Sequence, residues 1–212
     1  VCIALEQYYV ATGDITWLKA NMGLVAGAAD YWASRVTPCV QGTAGVPFVC
    51  IELSMGPDEY HGNVNNSAYT AAAARECLRF ASRAALVTGG TPNPTWASTA
   101  RDMFVPFDSV LQYHPEFTGY AHGVQVKQAD TILAYSWPLL SPFNEHTGDL
   151  DEVVRNDLAY YSNVTDPNGP AMTWAAFAMA YYSLSGTKLL PLHSLPGASR
   201  PYKRRSGCGQ RQ

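Results

Sequence analysis

The chain has 212 residues, 47% of them apolar and 15% charged: enough apolar material for one sizeable core, and too little charge for a disordered polyelectrolyte. Its net charge of -3 hides an asymmetry, because Lys188, Arg200, Lys203, Arg204, Arg205 and Arg211 carry 6 of the 14 positive charges and leave 8 basic against 17 acidic residues elsewhere, a net of -9. An acidic body argues against nucleic acid as a partner, and no apolar run reaches the roughly eighteen residues needed to span a membrane.

No signal peptide is visible, and a chain that begins at Val1 reads as the middle of something longer. Five cysteines, at 2, 39, 50, 77 and 208, include no C-x-x-C pair, so a zinc ribbon or thioredoxin-type site is not expected. Their odd number fits no complete disulfide framework. A reducing, cytoplasmic setting is therefore favoured, with a Cys39–Cys50 pair left open. Asn65-Asn66-Ser67 and Asn163-Val164-Thr165 match the glycosylation pattern but decide nothing without a secretory signal.

In chain order the pattern is helix after helix. A helix over 3–12 is ended by Gly13. Asp14 caps a short helix through Trp17 and Leu18. A further helix over 24–35 presents Leu24, Ala28, Tyr31 and Trp32 on one face. Pro38, Gly42, Gly45 and Pro47 make a loop, with a short strand between Val46 and Leu53. Residues 54–66 are dense in turn formers.

A long helix from Ser67 to Val87 follows. Tyr69, Ala73, Cys77, Phe80, Ala84 and Val87 form its apolar stripe, and Arg75, Arg79 and Arg83 its polar one; Cys77 reads as a small core residue. The loop Gly89 to Pro94 lacks the Lys-Ser/Thr ending of a phosphate loop. Helices follow near 95–104, 127–135, 150–161 and 171–184. The penultimate one carries Leu150, Val153, Val154, Leu158 and Tyr161 on one side, and the last is apolar nearly all round, as for an element buried on every side. Asp166 to Pro170 supplies its turn and proline start. Helix pairs separated by long loops predict an all-α fold of stacked or ring-arranged hairpins.

The stretch Gly56-Pro57-Asp58-Glu59-Tyr60-His61-Gly62-Asn63-Val64-Asn65-Asn66 packs two carboxylates, an imidazole, a phenol and three amides into eleven residues of loop. Glycoside cleavage needs a carboxylic acid beside the glycosidic oxygen and groups that grip sugar hydroxyls. On chemistry alone, a solvated turn capping the next helix explains the loop equally well.

The run Gly56 to Tyr69 resembles the acid-bearing motif of glycoside hydrolase family 65. His114-Pro115-Glu116-Phe117-Thr118-Gly119-Tyr120 with Val126-Lys127-Gln128-Ala129-Asp130 resembles a second motif of that family, and Thr165 to Trp174 a third, in the family's order. The likeness runs from about Leu5 to Leu184. It implies part of an (α/α)6 toroid of the six-hairpin glycosidase kind over 1–185, followed by a divergent basic tail over 186–212, expected to be disordered.

It implies Glu59 as proton donor and Lys127 and Gln128 as the pair that contacts the sugar. Asp58, beside the acid, orients the loop; His61 either bonds a sugar hydroxyl or serves loop structure. Trp174 either stacks on a sugar or, as its apolar helix favours, packs in the core. The resemblance further implies an inverting mechanism with a carbohydrate substrate and no metal or organic cofactor. Hydrolysis of an α-glucoside leads over phosphorolysis, because the aliphatic run after the Lys-Gln-Ala-Asp motif is closer to the hydrolase branch. A catalytically incomplete sugar-binding fragment is the alternative of another class, because the family's upstream Trp-Asp element and its downstream base or phosphate loop have no counterpart here. Glu116, Glu145 and Asp149 are available acids to which no motif gives the base role.

Overall fold

The computed structural model of the chain describes residues 1–41, 46–135, 150–169 and 172–185. Glu145, Asp149, Gly42, Gly45, Pro170 and the tail over 186–212 lie outside them. The elements are α1 (Cys2–Thr12), α2 (Ile15–Arg35), β1 (Thr37–Gln41), β2 (Val46–Cys50), α3 (Ala68–Val87), α4 (Pro94–Asp102), α5 (Asp130–Tyr135), α6 (Leu150–Val164) and α7 (Met172–Ser185).

Local signals set several helix ends. Gly13 adopts a left-handed φ of 65° and returns its N–H to the Tyr9 carbonyl, closing α1. Asp14, Ser67 and Asn93 each accept a backbone N–H at the start of α2, α3 and α4.

The two helices expected between residues 14 and 35 are one, α2, running through Gly23 and Gly27. A mid-helix glycine costs about 1 kcal/mol, which is offset by burying Leu18, Val25 and Ala29 in the core. The face read as inward is turned outward: Leu24 and Tyr31 are 58% and 55% exposed. The predicted loop and strand at 37–53 form an antiparallel hairpin, with Cys39 opposite Phe48 and Thr37 opposite Cys50.

Two disulfides correct the reading of the cysteines. Cys39 joins Cys50 diagonally across the hairpin, the pair the sequence left open, and Cys77, buried in the core as expected, is bonded to Cys2, 75 positions away. Two bonded pairs are a pattern of oxidising surroundings, against the reducing setting expected.

Helix α3 is central. It packs against α1, α2, α4 and α5, so its burial exceeds one stripe: Ala71, Ala74, Leu78 and Ala81 are all buried. Arg75, expected on the polar side, is buried and donates to the Met103 carbonyl, whereas Val87, expected inside, is 45% exposed. Trp96 on α4 donates to Asp30 on α2 at 2.8 Å.

The packing divides into two clusters. The first joins α1 to α4 and is rich in alanine. The second gathers Tyr113, Tyr120, Val126 and Ile132 against Leu158, Tyr161 and Phe177 of α6 and α7. Helix α5 packs on both α3 and α7, and its Tyr135 touches both clusters. Val153, Val154, Leu158 and Tyr161 are buried as the α6 pattern predicts. Helix α7 is not buried all round: Thr173, Ala176, Phe177 and Ala180 face the core, whereas Met172, Ala175, Met179 and Tyr182 form an exposed stripe. No helix among the described residues is long and apolar enough to cross a membrane.

Candidate active site

Three segments far apart in sequence meet around the loop after β2, itself one of them. The first is the loop itself. Ser54 and Val64 pair as an isolated bridge, and Asn66, with φ of 54°, accepts the Ile51 N–H on its side chain at 3.0 Å. The second is the stretch before α5. The pattern predicts helix from residue 127, but 126–129 lie outside any helix, because Val126 bridges to Thr165 and the N–H groups of Lys127 and Gln128 turn toward Asp58. The third is the turn after α6, where Asp166 donates its N–H to Val126 at 2.8 Å.

Asp58 is the junction. It is 1% exposed. One carboxylate oxygen accepts the Lys127 N–H at 2.8 Å and the Tyr60 N–H at 3.3 Å, and the other lies 2.6 Å from His61 Nδ1. Donors at both oxygens are the pattern of a carboxylate.

Glu59 points the other way. Its side chain is 61% exposed and forms an ion pair with the Lys127 ammonium, itself about one-third exposed. The next residue fixes the loop again: Tyr60 donates from its hydroxyl to Asp166 at 2.7 Å, and that bond holds the phenol above its usual range. Glu59 is thus the exposed group on an anchored backbone. Lys127 is beside it; Gln128 is buried, and its side-chain oxygen has no hydrogen-bond partner among the described residues. His61 is only partly exposed, and its ring lies 5.2 Å from that of Phe117 and 6.2 Å from that of Tyr120. Phe117 and Tyr120 also line a cleft of about 400 Å³ with Phe104, Phe107 and Pro115. Trp174 stacks on Phe177 in the second core rather than lying at this loop.

Sequence reasoning missed the layer beneath. Glu116 and Asp130 are 2% and 3% exposed. Burial and mutual repulsion with Asp58 hold both carboxyl groups well above the usual range. Glu116 accepts the Asp130 N–H at 2.9 Å, and one of its carboxyl oxygens lies within 4.8 Å of an Asp58 oxygen. Gly56 is required here: a Cβ at that position would sit 1.8 Å from Asp130 Oδ2. Both acids stood in motifs already singled out. Nothing local distinguishes a buried acid from a solvated one. One donor atom each of Asp58, His61 and Glu116 lies within 4.8 Å of the others, a spacing that a cation could use, but a hydrogen bond already joins Asp58 to His61.

The glycosyl hydrolase family 65 central catalytic domain matches residues 1–129, which include all five expected site residues. The protein-glucosylgalactosylhydroxylysine glucosidase of Danio rerio is 40% identical over 186 residues, covering 87% of this chain and 27% of its own length. The kojibiose hydrolase of Flavobacterium johnsoniae is 32% identical over 189 residues, covering 87% of this chain and 25% of its own. The chain thus spans about a quarter of the length of these relatives. A solved structure, a putative kojibiose phosphorylase from human microbiome, superposes with a TM-score of 0.65 at 13% identity, over 86% of this chain and 29% of that one. That likeness bears out the fold expected, part of an (α/α)6 toroid. The chain belongs to glycosyl hydrolase family 65, within its central catalytic domain.

Proposed function

We propose that this chain carries the acid half of an inverting glycoside hydrolase that cleaves an α-glucoside, with Glu59 as proton donor. The observation that supports this most is the contrast on one loop. Asp58 and Tyr60 are tied to distant segments, while Glu59 between them extends its carboxyl group outward beside Lys127. A group that must deliver a proton to a bound ligand needs that combination of fixed backbone and accessible carboxyl.

In the free chain Glu59 and Lys127 pair with each other. A glucosyl unit bound between them exchanges that pair for contacts from Lys127 and the Gln128 amide to sugar hydroxyls, leaving Glu59 to carry the proton. Glu59 then donates it to the glycosidic oxygen as the bond to the anomeric carbon breaks, and water attacks the opposite face, giving β-glucose. His61 is held by Asp58 at the aromatic wall of Phe117 and Tyr120, placed to meet a sugar hydroxyl. The base that activates water is assigned to residues outside this chain. The names of the relatives point to substrates in which glucose is α-linked to another sugar: a glucosyl-galactosyl-hydroxylysine unit, kojibiose or trehalose.

The test is Glu59→Gln in the full-length protein. General acid catalysis contributes roughly 10²–10⁴-fold, so kcat on a disaccharide falls by that range, whereas a glucosyl fluoride, whose leaving group needs little protonation, loses much less. Equal loss on both substrates removes Glu59 from the role. Release of β-glucose 1-phosphate that depends on added phosphate assigns phosphorolysis instead.

A further inference from the structure

We infer that Glu116 is a positioning residue for this reaction: a buried, neutral carboxylic acid whose proton, donated to Asp58, holds the loop that carries Glu59. The inference rests on the reading of Glu59 as proton donor.

Three carboxyl groups, Asp58, Glu116 and Asp130, are each at most 3% exposed and close enough to repel one another. No arginine or lysine among the described residues pairs with any of them, the Lys127 ammonium being turned to Glu59. Three buried charges without a cation are too costly, so protons must remain on some of them. The hydrogen bonds say which. Asp58 is surrounded by donors: the N–H groups of Lys127, Gln128 and Tyr60, and His61 Nδ1. Glu116 receives a single backbone donor, the Asp130 N–H, so its other oxygen is left to donate. The groups that face Glu116 are Asp58 and His61 from the loop, Asp130 from α5, Tyr120 from its own segment and Tyr161 from α6.

The backbone around Glu116 adds to the tie. Its carbonyl accepts the Ala68 N–H at the start of α3, and Thr118 bonds Asn65 and Asn66. Glu116 therefore acts at two points on the acid loop, the Asp58 end through its proton and the Asn66 end through its main chain. Burial keeps it from water, so it does not serve as the hydrolytic base.

The experiment compares Glu116→Gln with Glu116→Ala in the full-length protein. Glutamine can donate to Asp58 and accept from Asp130, so E116Q keeps kcat within about threefold, while E116A strands Asp58 and loses roughly thirtyfold or more in kcat with a smaller change in KM. A proton held above its ordinary range stabilises the fold at low pH, and that contribution is lost as pH rises through the raised value. The melting temperature of the parent therefore falls from pH 6 to pH 9 more steeply than that of E116Q. The melting arm reads Glu116 even if no glycosidase activity exists, which separates failure of this inference from failure of the Glu59 reading. E116Q as impaired as E116A shows that a charge is needed and overturns the proposal. So does chelation with EDTA that lowers the melting temperature of the parent but not of E116Q, which would make Asp58, His61 and Glu116 a cation site.

Discussion

Two regions of the molecule bury carboxyl groups in opposite ways. In the first, Glu6 on α1 and Glu76 on α3 are buried and share one guanidinium, that of Arg83, which is about half exposed. The disulfide Cys2–Cys77 ties the same two helices beside them. Around the loop after β2, Asp58, Glu116 and Asp130 are equally buried, but backbone N–H groups, His61 and a shared proton take the place of arginine. One oxygen of Asp130 has no hydrogen-bond partner among the described residues. The first cluster is scaffold, satisfied by charge and covalent bond. The second carries unmet polar demand, as is expected where structure is held in readiness for a ligand.

Substitutions test that division. The largest combined loss of stability and activity is expected at Gly56→Ala, because the added methyl would lie 1.8 Å from Asp130 Oδ2 within the buried acid cluster. Overpacking of this kind costs about 3 kcal/mol, seen as a lower melting temperature together with loss of activity. A neutral result would show that the acid cluster is loosely held.

Removing the covalent tie comes next. With its ends 75 positions apart, replacing Cys2 and Cys77 by alanine costs about 4 kcal/mol in the loop-entropy account. Replacing Cys39 and Cys50, only 11 apart, costs less. Denaturant unfolding ranks the two. If the scaffold is separate from the site, the first pair of substitutions changes stability with little effect on the chemistry at Glu59.

A smaller effect tests the shared arginine. Burial, then repulsion by Glu76, raises Glu6 to about 7 against the pull of Arg83. Its folded value exceeds its unfolded one, so its contribution to stability is fully present below about pH 4.5 and lost as pH rises through about 7. Thermal melts between pH 4.5 and 8 should slope downward, and Glu6→Gln should remove its part of that slope. An unchanged slope assigns the pH dependence to Glu116 and Asp130. The smallest effect is expected at Tyr60→Phe, which deletes the bond to Asp166 at a partly exposed position. It should lower kcat several-fold and leave KM and the melting temperature close to those of the parent. A change in KM alone would make Tyr60 a sugar contact instead.

Much of this was legible in the sequence where hydrogen bonding is local. Gly13, Asp14, Ser67 and Asn93 mark helix ends because their roles depend on residues within one turn. The motifs that resemble family 65 carried the expected site onto Asp58, Glu59, His61, Lys127 and Gln128 because side-chain identity and spacing are enough for that. Tertiary structure decided what depends on residues far apart. Cys77 is buried in the core as its stripe implied, but its bond to Cys2 exists only because α1 packs on α3; α2 runs on through Gly23 because α3 offers a surface to pack against; 126–129 leave the helix because Asp58 and Thr165 take their hydrogen bonds. The same cause separates the acids. Glu59 and Glu116 are the same side chain in sequence, and only packing exposes one to a substrate and buries the other with its proton, because the cost of a charge depends on the water around it.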